Sequence, residues 1–87
     1  MNREQKIAAF RAKMAASEVL PLLSEGGRYM LELCSSETVV PAVLRRIIED
    51  SPLGLGFSFQ LPTRRIFVYE RDIRPGPNGL LIVIGSY

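Results

Sequence analysis

The sequence predicts an α+β protein in which two main helices pack on a three- or four-stranded, mainly antiparallel sheet. Three observations support this class: apolar residues keep helical spacing over 2–20 and 38–50, they alternate with period two after Pro52, and glycine and proline mark the breaks. The 87 residues have the length of one domain. We predict a single domain over 1–87, with a helical part at 2–50 and a β-meander at 55–86.

The first helix is predicted to begin at Asn2, which can cap the helix with Gln5 as its capping-box partner. Apolar residues then recur at helical spacing as far as Leu20. Pro21 has no N–H to donate and clashes with the preceding turn, so it is not compatible with a helix interior. The helix is therefore expected to end or kink at residues 19–20.

Residues 28–34 fit two structures. Tyr29, Leu31 and Leu33 alternate as they would in a strand, whereas Met30, Leu33 and Cys34 also share one helical face. The preceding glycine pair and the short length favour a strand, while Met, Leu and Glu favour a helix by propensity. Strand is the preferred interpretation, and helix remains the alternative.

Residues 38–50 are predicted to form the second helix. Pro41 is compatible with a first helical turn, and Pro52 ends the segment. Arginine and carboxylate side chains fall opposite the apolar positions. The apolar face consists of Val40, Val43, Leu44, Ile47 and Ile48.

Three strands are predicted at 57–61, 66–69 and 80–84, with turns at 62–63 and 74–79. The second and third strands are apolar on both faces, whereas a sheet in so small a domain usually has helices on one face only. One alternative is that two helices cover both faces. The preferred interpretation is that a protein partner covers the second face, most simply a second copy of the chain, because a two-fold contact needs only one patch.

Composition excludes most catalytic classes. The chain has no histidine and one cysteine, so the usual zinc, copper and iron ligand sets and the commonest general base are missing. We expect no metal, no cofactor and no enzyme activity, and we interpret Cys34 as a buried core residue. No apolar run approaches the length of a membrane span, and Arg11 and Lys13 interrupt any secretory signal. A cytoplasmic location is expected.

The leading hypothesis is a non-enzymatic protein-interaction module, an adaptor, regulator or inhibitor of another protein, that is homodimeric through its sheet. The predicted interaction residues share the apolar strands and the arginine doublet at 64–65. They are Phe57, Phe59, Phe67, Tyr69, Leu81, Val83, Arg64 and Arg65.

An alternative is DNA binding. The segments RYMLELC, SSE and TVVPAVLRRIIED resemble the second and third helices of a winged helix-turn-helix domain. That resemblance implies a recognition helix at 38–50 in the major groove and a wing at 57–71. Phosphate contacts would then come from Arg45, Arg46, Arg64 and Arg65, although the net charge of +2 is modest and both doublets fit a solvated polar edge equally well.

A second alternative is peptide binding. Residues 54–57, GLGF, resemble the carboxylate-binding loop of PDZ domains, and the residues that follow resemble the next two strands of that family. The resemblance implies that Gly54–Phe57 binds a peptide carboxylate and that strand 57–61 accepts an added strand. Helix 38–50 would flank the peptide, in a permuted order.

Overall fold

A computed structural model of the chain describes residues 18–50 and 54–87, without the side chain of Asp50. The helix predicted from Asn2 lies outside these residues except for its last positions. Of those positions only Leu20 lies in a helix, and the described residues contain three short 3-10 helices, at Leu20–Leu22, Glu70–Asp72 and Pro77–Gly79. The strands are β1 Arg28–Leu33, β2 Thr38–Asp50, β3 Gly54–Gln60, β4 Arg65–Tyr69, β5 Ile73–Pro75 and β6 Leu81–Val83.

The predicted class, two main helices on a sheet, is wrong. The described residues contain no helix longer than three residues, and they form one mixed sheet of six strands. The second predicted helix, at 38–50, is the long strand β2. Its composition explains the outcome, because threonine, valine and isoleucine are stiff at χ1 and favour the pleated conformation.

A β-bulge in β2 accounts for its misleading periodicity. Leu44 pairs with Phe59 and Arg46 pairs with Ser58, so Arg45 is an extra residue without a partner in β3. The bulge shifts the phase of the strand, and the next interior residue after Leu44 is therefore Ile47. A spacing of three at that point imitates one turn of a helix.

Pro41 is tolerated in β2 because of where it lies. The Leu44 N–H donates to the Gly27 carbonyl, and the Leu44 carbonyl accepts from the Gly26 N–H, so Leu44 bonds toward the β1 side. Backbone groups of successive residues in a strand point to alternate edges. The Pro41 nitrogen, three residues from Leu44, therefore points toward the β3 side. Pairing with β3 begins only at Val43, so no neighbouring strand needs a hydrogen bond there. Proline is usually confined to such edge positions.

The strand order is β4-β3-β2-β1-β6-β5, in which β6 pairs with β1 in parallel and the other pairs are antiparallel. The two outermost strands, β4 and β5, are joined by the 3-10 helix Glu70–Asp72, so the sheet curls and the end of β4 lies near the start of β5. Tyr87 pairs with the outer edge of β4, and we call this junction the seam. The Tyr87 N–H donates to the Phe67 carbonyl and the Tyr87 carbonyl accepts from the Phe67 N–H, each at 2.9 Å.

The inner face of the rolled sheet holds the core. Alternate residues of every strand point inward, and Val19, Leu20 and Leu23 before β1 pack on the same cluster. Strands predicted at 57–61, 66–69 and 80–84 are confirmed as β3, β4 and β6, and the preferred strand at 28–34 is confirmed as β1. The turn predicted at 74–79 is shorter than expected, because its first two residues belong to β5 at Ile73–Pro75.

Candidate functional site

The eight residues predicted to meet a partner are divided between the two faces of the sheet. Phe57 and Phe59 are 0% exposed, and Leu81 and Val83 are each 2% exposed, all within the core. These four are therefore unavailable to a partner in the folded chain. Phe67 and Tyr69 are half-buried on the outer face of β4, and Arg64 and Arg65 are exposed at its beginning.

A different apolar surface lies on the outer face of β1, β2 and β6. Register places Met30 beside Pro41, and Glu32 lies between Val39 and Ile82. Met30 is 45% exposed and Val39 is 48% exposed. We name this surface the outer-face patch, and it consists of Met30, Val39, Pro41, Val43 and Ile82.

The patch continues into an open groove of about 700 Å³. The groove lies where β2 and β3 diverge, since their pairing stops at Val43 and Gln60. Its volume is in the range of ordinary ligand sites, which are about 300–1,000 Å³. The residues around it are Arg28, Tyr29, Met30, Pro41, Ala42, Val43, Gln60, Leu61, Pro62 and Gly79.

Two charges flank Met30 on β1. Arg28 and Glu32 each lie two residues from Met30, so the three side chains project from the same face. Neither charge forms an ion pair within residues 18–50 and 54–87. The outer face of β1 is therefore apolar at its centre and oppositely charged at its ends.

An aromatic cluster covers the seam of the sheet. The rings of Phe67 and Tyr69 meet edge to face at 5.0 Å between centroids, and those of Tyr69 and Tyr87 at 5.7 Å. The Arg71 guanidinium lies 5.5 Å from the centroid of the Tyr69 ring. These contacts pack Tyr87 against the outer face of β4.

The two arginine doublets lie two strands apart, on opposite sides of Phe59. Leu44 and Ile66 both pair with Phe59, and β2 and β4 run in the same direction, so Arg45 after Leu44 and Arg65 before Ile66 diverge from that row. All four arginines of the doublets, Arg45, Arg46, Arg64 and Arg65, are exposed. The helix that the winged helix-turn-helix resemblance requires at 38–50 is absent, because those residues form β2.

The GLGF segment lies within a central strand. Gly56 pairs with Ile48 of β2 on one side and with Tyr69 of β4 on the other. From Gly56 to Gln60 both edges of β3 are therefore already hydrogen-bonded, and no free edge remains there for an added peptide strand. Gly54 and Leu55 pair with β2 only.

Cys34 was expected in the core and is instead exposed, in the turn after β1. No group of three or more His, Cys, Asp or Glu side chains within the described ranges could hold a metal ion. In the same part of the chain, no helix has the length and apolar character needed to cross a membrane.

The sequence contained a signal for the outer-face patch. Once Tyr29, Leu31 and Leu33 are assigned to the inner face of a strand, Met30 must lie outside, between Arg28 and Glu32. The second part of the patch could not be found in this way, because residues 38–50 were assigned to a helix. The helical assignment placed Val40 and Val43 on one face, whereas they lie on opposite faces of β2.

Within residues 18–50 and 54–87, these features define a small rolled β-sheet protein with an apolar patch on its outer face. Comparison with protein-family models, with curated protein sequences and with solved structures finds no match to the chain.

Proposed function

We propose that this chain is a non-enzymatic protein-interaction module that binds a protein partner through the outer-face patch. One observation carries the proposal: Met30 and Val39 are nearly half exposed on neighbouring strands, beside an open groove. Isolated exposed apolar residues are normal, but a continuous apolar surface on a small domain is typical of an interaction site. The partner protein would be regulated, inhibited or recruited by this contact.

The apolar character of the patch favours a protein partner over a soluble metabolite. Interface cores are depleted of charge and enriched in methionine and aromatic residues, with charged residues at the rim. Met30 lies centrally in this patch beside Pro41, Arg28 flanks it next to Val43, and Glu32 separates Val39 from Ile82. At about 25 cal/mol per Å² of apolar surface, covering such a patch adds several kcal/mol to a complex, before the cost of association.

The edge of β2 next to Pro41 is less suited to a partner strand. Pro41 has no N–H to donate, and proline on an edge is a common way to prevent strand addition. The proposed contact therefore uses the face of the sheet and not its hydrogen-bonding edge. We place the protein in the cytoplasm, where the exposed thiol of Cys34 stays reduced.

The test compares Met30→Asp with Thr63→Asp, which introduces the same charge in the exposed turn after β3. Each tagged variant is used to capture proteins, including an untagged copy of the chain, and thermal unfolding confirms that both variants fold. We expect wild type and Thr63→Asp to capture the same proteins, and we expect Met30→Asp to lose them. Equal capture by all three proteins would refute the proposal.

A second candidate function is binding of nucleic acid by Arg45, Arg46, Arg64 and Arg65. It is supported by the exposure of all four arginines and by the outer face of the sheet that Arg46 and Arg65 share. It predicts that oligonucleotide binding weakens with salt, with a log–log slope of roughly −0.7 to −0.9 per phosphate contacted. The pair Arg46→Glu and Arg65→Glu should abolish binding, and absence of binding by wild type at low salt excludes this candidate.

A further inference from the structure

The outer face of β1 has a charge pattern that is complementary to itself. Arg28, Met30 and Glu32 project from one face, in that order along the strand. A two-fold axis through Met30 reverses the order in a second copy. Arg28 of each copy then lies opposite Glu32 of the other, while the two Met30 side chains meet at the centre.

Both charges are available for such a contact. Arg74 is the cation nearest to Glu32 in the same row of the sheet, with Ile82 between them. The Arg74 Nη1 atom donates instead to the carbonyls of Glu70 at 3.2 Å and Ile73 at 2.9 Å. Glu32 is therefore not neutralised by its own chain within the described residues.

We propose that two copies of this chain dimerise face to face through the outer-face patch, with antiparallel β1 strands and reciprocal Arg28–Glu32 pairs. This inference rests on the proposed function, because it names the partner of the same surface. Apolar contact supplies most of the affinity, and the charge pairs fix orientation and register. A parallel arrangement would oppose like charges and is disfavoured.

The experiment uses charge reversal and sedimentation equilibrium of the full chain. Arg28→Glu gives a copy with two acidic side chains around Met30, and Glu32→Arg gives a copy with two basic ones. Each alone should dimerise at least roughly tenfold more weakly than wild type, because two attractive pairs become repulsive. Arg64→Glu, the same charge change in the exposed turn, should dimerise like wild type.

Two further measurements, in which dimer affinity should recover, test the orientation of the two β1 strands. The double variant Arg28→Glu with Glu32→Arg restores both pairs in reversed sense, so it should dimerise like wild type. An equimolar mixture of the two single variants should form a heterodimer more stable than either homodimer, because every contact is again between opposite charges. Failure of both recoveries would overturn the proposed orientation even if wild type dimerises.

A wild-type chain that remains monomeric across the micromolar range would overturn the dimer itself. That result leaves the proposed function testable through the loss of other captured proteins in Met30→Asp. If Met30→Asp captures the same proteins as wild type, the proposed function fails as well. The two failures are thus distinguished by separate measurements.

Discussion

The Phe67 ring lies directly over Gly56, in the space that a Cβ atom on Gly56 would occupy. Its Cε1 and Cε2 atoms would lie 2.7 and 2.9 Å from that Cβ, closer than real contacts allow. Gly56 pairs with Tyr69, whose ring meets the Phe67 ring edge to face. A residue without a side chain is therefore required where the seam aromatics cross β3.

Gly56→Ala should lower the free energy of unfolding by about 1–3 kcal/mol, the usual cost of overpacking. The measurement is urea denaturation of wild type, Gly56→Ala, Phe67→Ala and the double variant. In the Phe67→Ala background the cost of Gly56→Ala should fall below about 1 kcal/mol, since the clashing ring is gone. Gly85→Ala is the matched control, because its nearest neighbour, the Asp72 Cγ atom, is at an ordinary 3.7 Å. Equal effects at both glycines would contradict this account.

Removal of Tyr87 should lower the free energy of unfolding by about 1–3 kcal/mol, from two lost backbone hydrogen bonds and a lost aromatic contact. Tyr87→Ala keeps the backbone pairing and should cost about half as much, whereas Tyr87→Phe should be nearly neutral. Denaturant unfolding of the three variants gives the comparison. If the protein without Tyr87 has an unchanged free energy of unfolding, the seam contributes nothing to stability.

Glu37→Gly should raise the free energy of unfolding by up to about 1 kcal/mol. Glu37 has a φ of 53°, in the left-handed region that is unfavourable for residues with a Cβ atom. Ser35→Gly in the same turn is the control, because Ser35 has no positive φ and gains nothing from the substitution. The prediction is contradicted if both substitutions change stability in the same direction and by the same amount.

A spin label on Cys34 should report the arrangement of the proposed dimer. Cys34 is exposed and is the one cysteine of the chain, so labelling needs no other substitution. It lies four residues from Met30, or about 13 Å along an extended strand, so the two labels should be about 26–30 Å apart across the two-fold axis. Double electron–electron resonance measures this distance. The Met30→Asp variant should lose the dipolar signal. A distance well outside this range would exclude antiparallel β1 strands, and parallel strands would place the two Cys34 residues only about 10 Å apart, the spacing of packed sheets.

The sequence predicted the strands better than it predicted the class. Regular alternation at 57–61 and the apolar runs at 66–69 and 80–84 mark β3, β4 and β6, because each lies between clear turn residues. Strand β5 has only three residues, ends in proline and lies within a turn-rich segment, so no periodicity could reveal it. The helical assignment of 38–50 failed because the bulge at Arg45 creates the spacing on which that assignment depended.

The position of the outer-face patch could not be predicted from the sequence. An apolar outer surface was expected because two strands are apolar on both sides. Which side faces the core depends on how the sheet closes, and closure depends on the pairing of residues distant in sequence, such as Leu31 with Leu81. Single-strand periodicity contains no information on that pairing.

The parallel pairing of β1 with β6 also has a consequence for biosynthesis. β1 is synthesised before β6, so one edge of β1 stays unpaired until β6 has been made. Contacts between distant residues slow folding, because the entropy of closing a long loop must be overcome first. The β1–β6 pairing is therefore expected to form later in folding than the antiparallel pairs between strands that are neighbours in sequence.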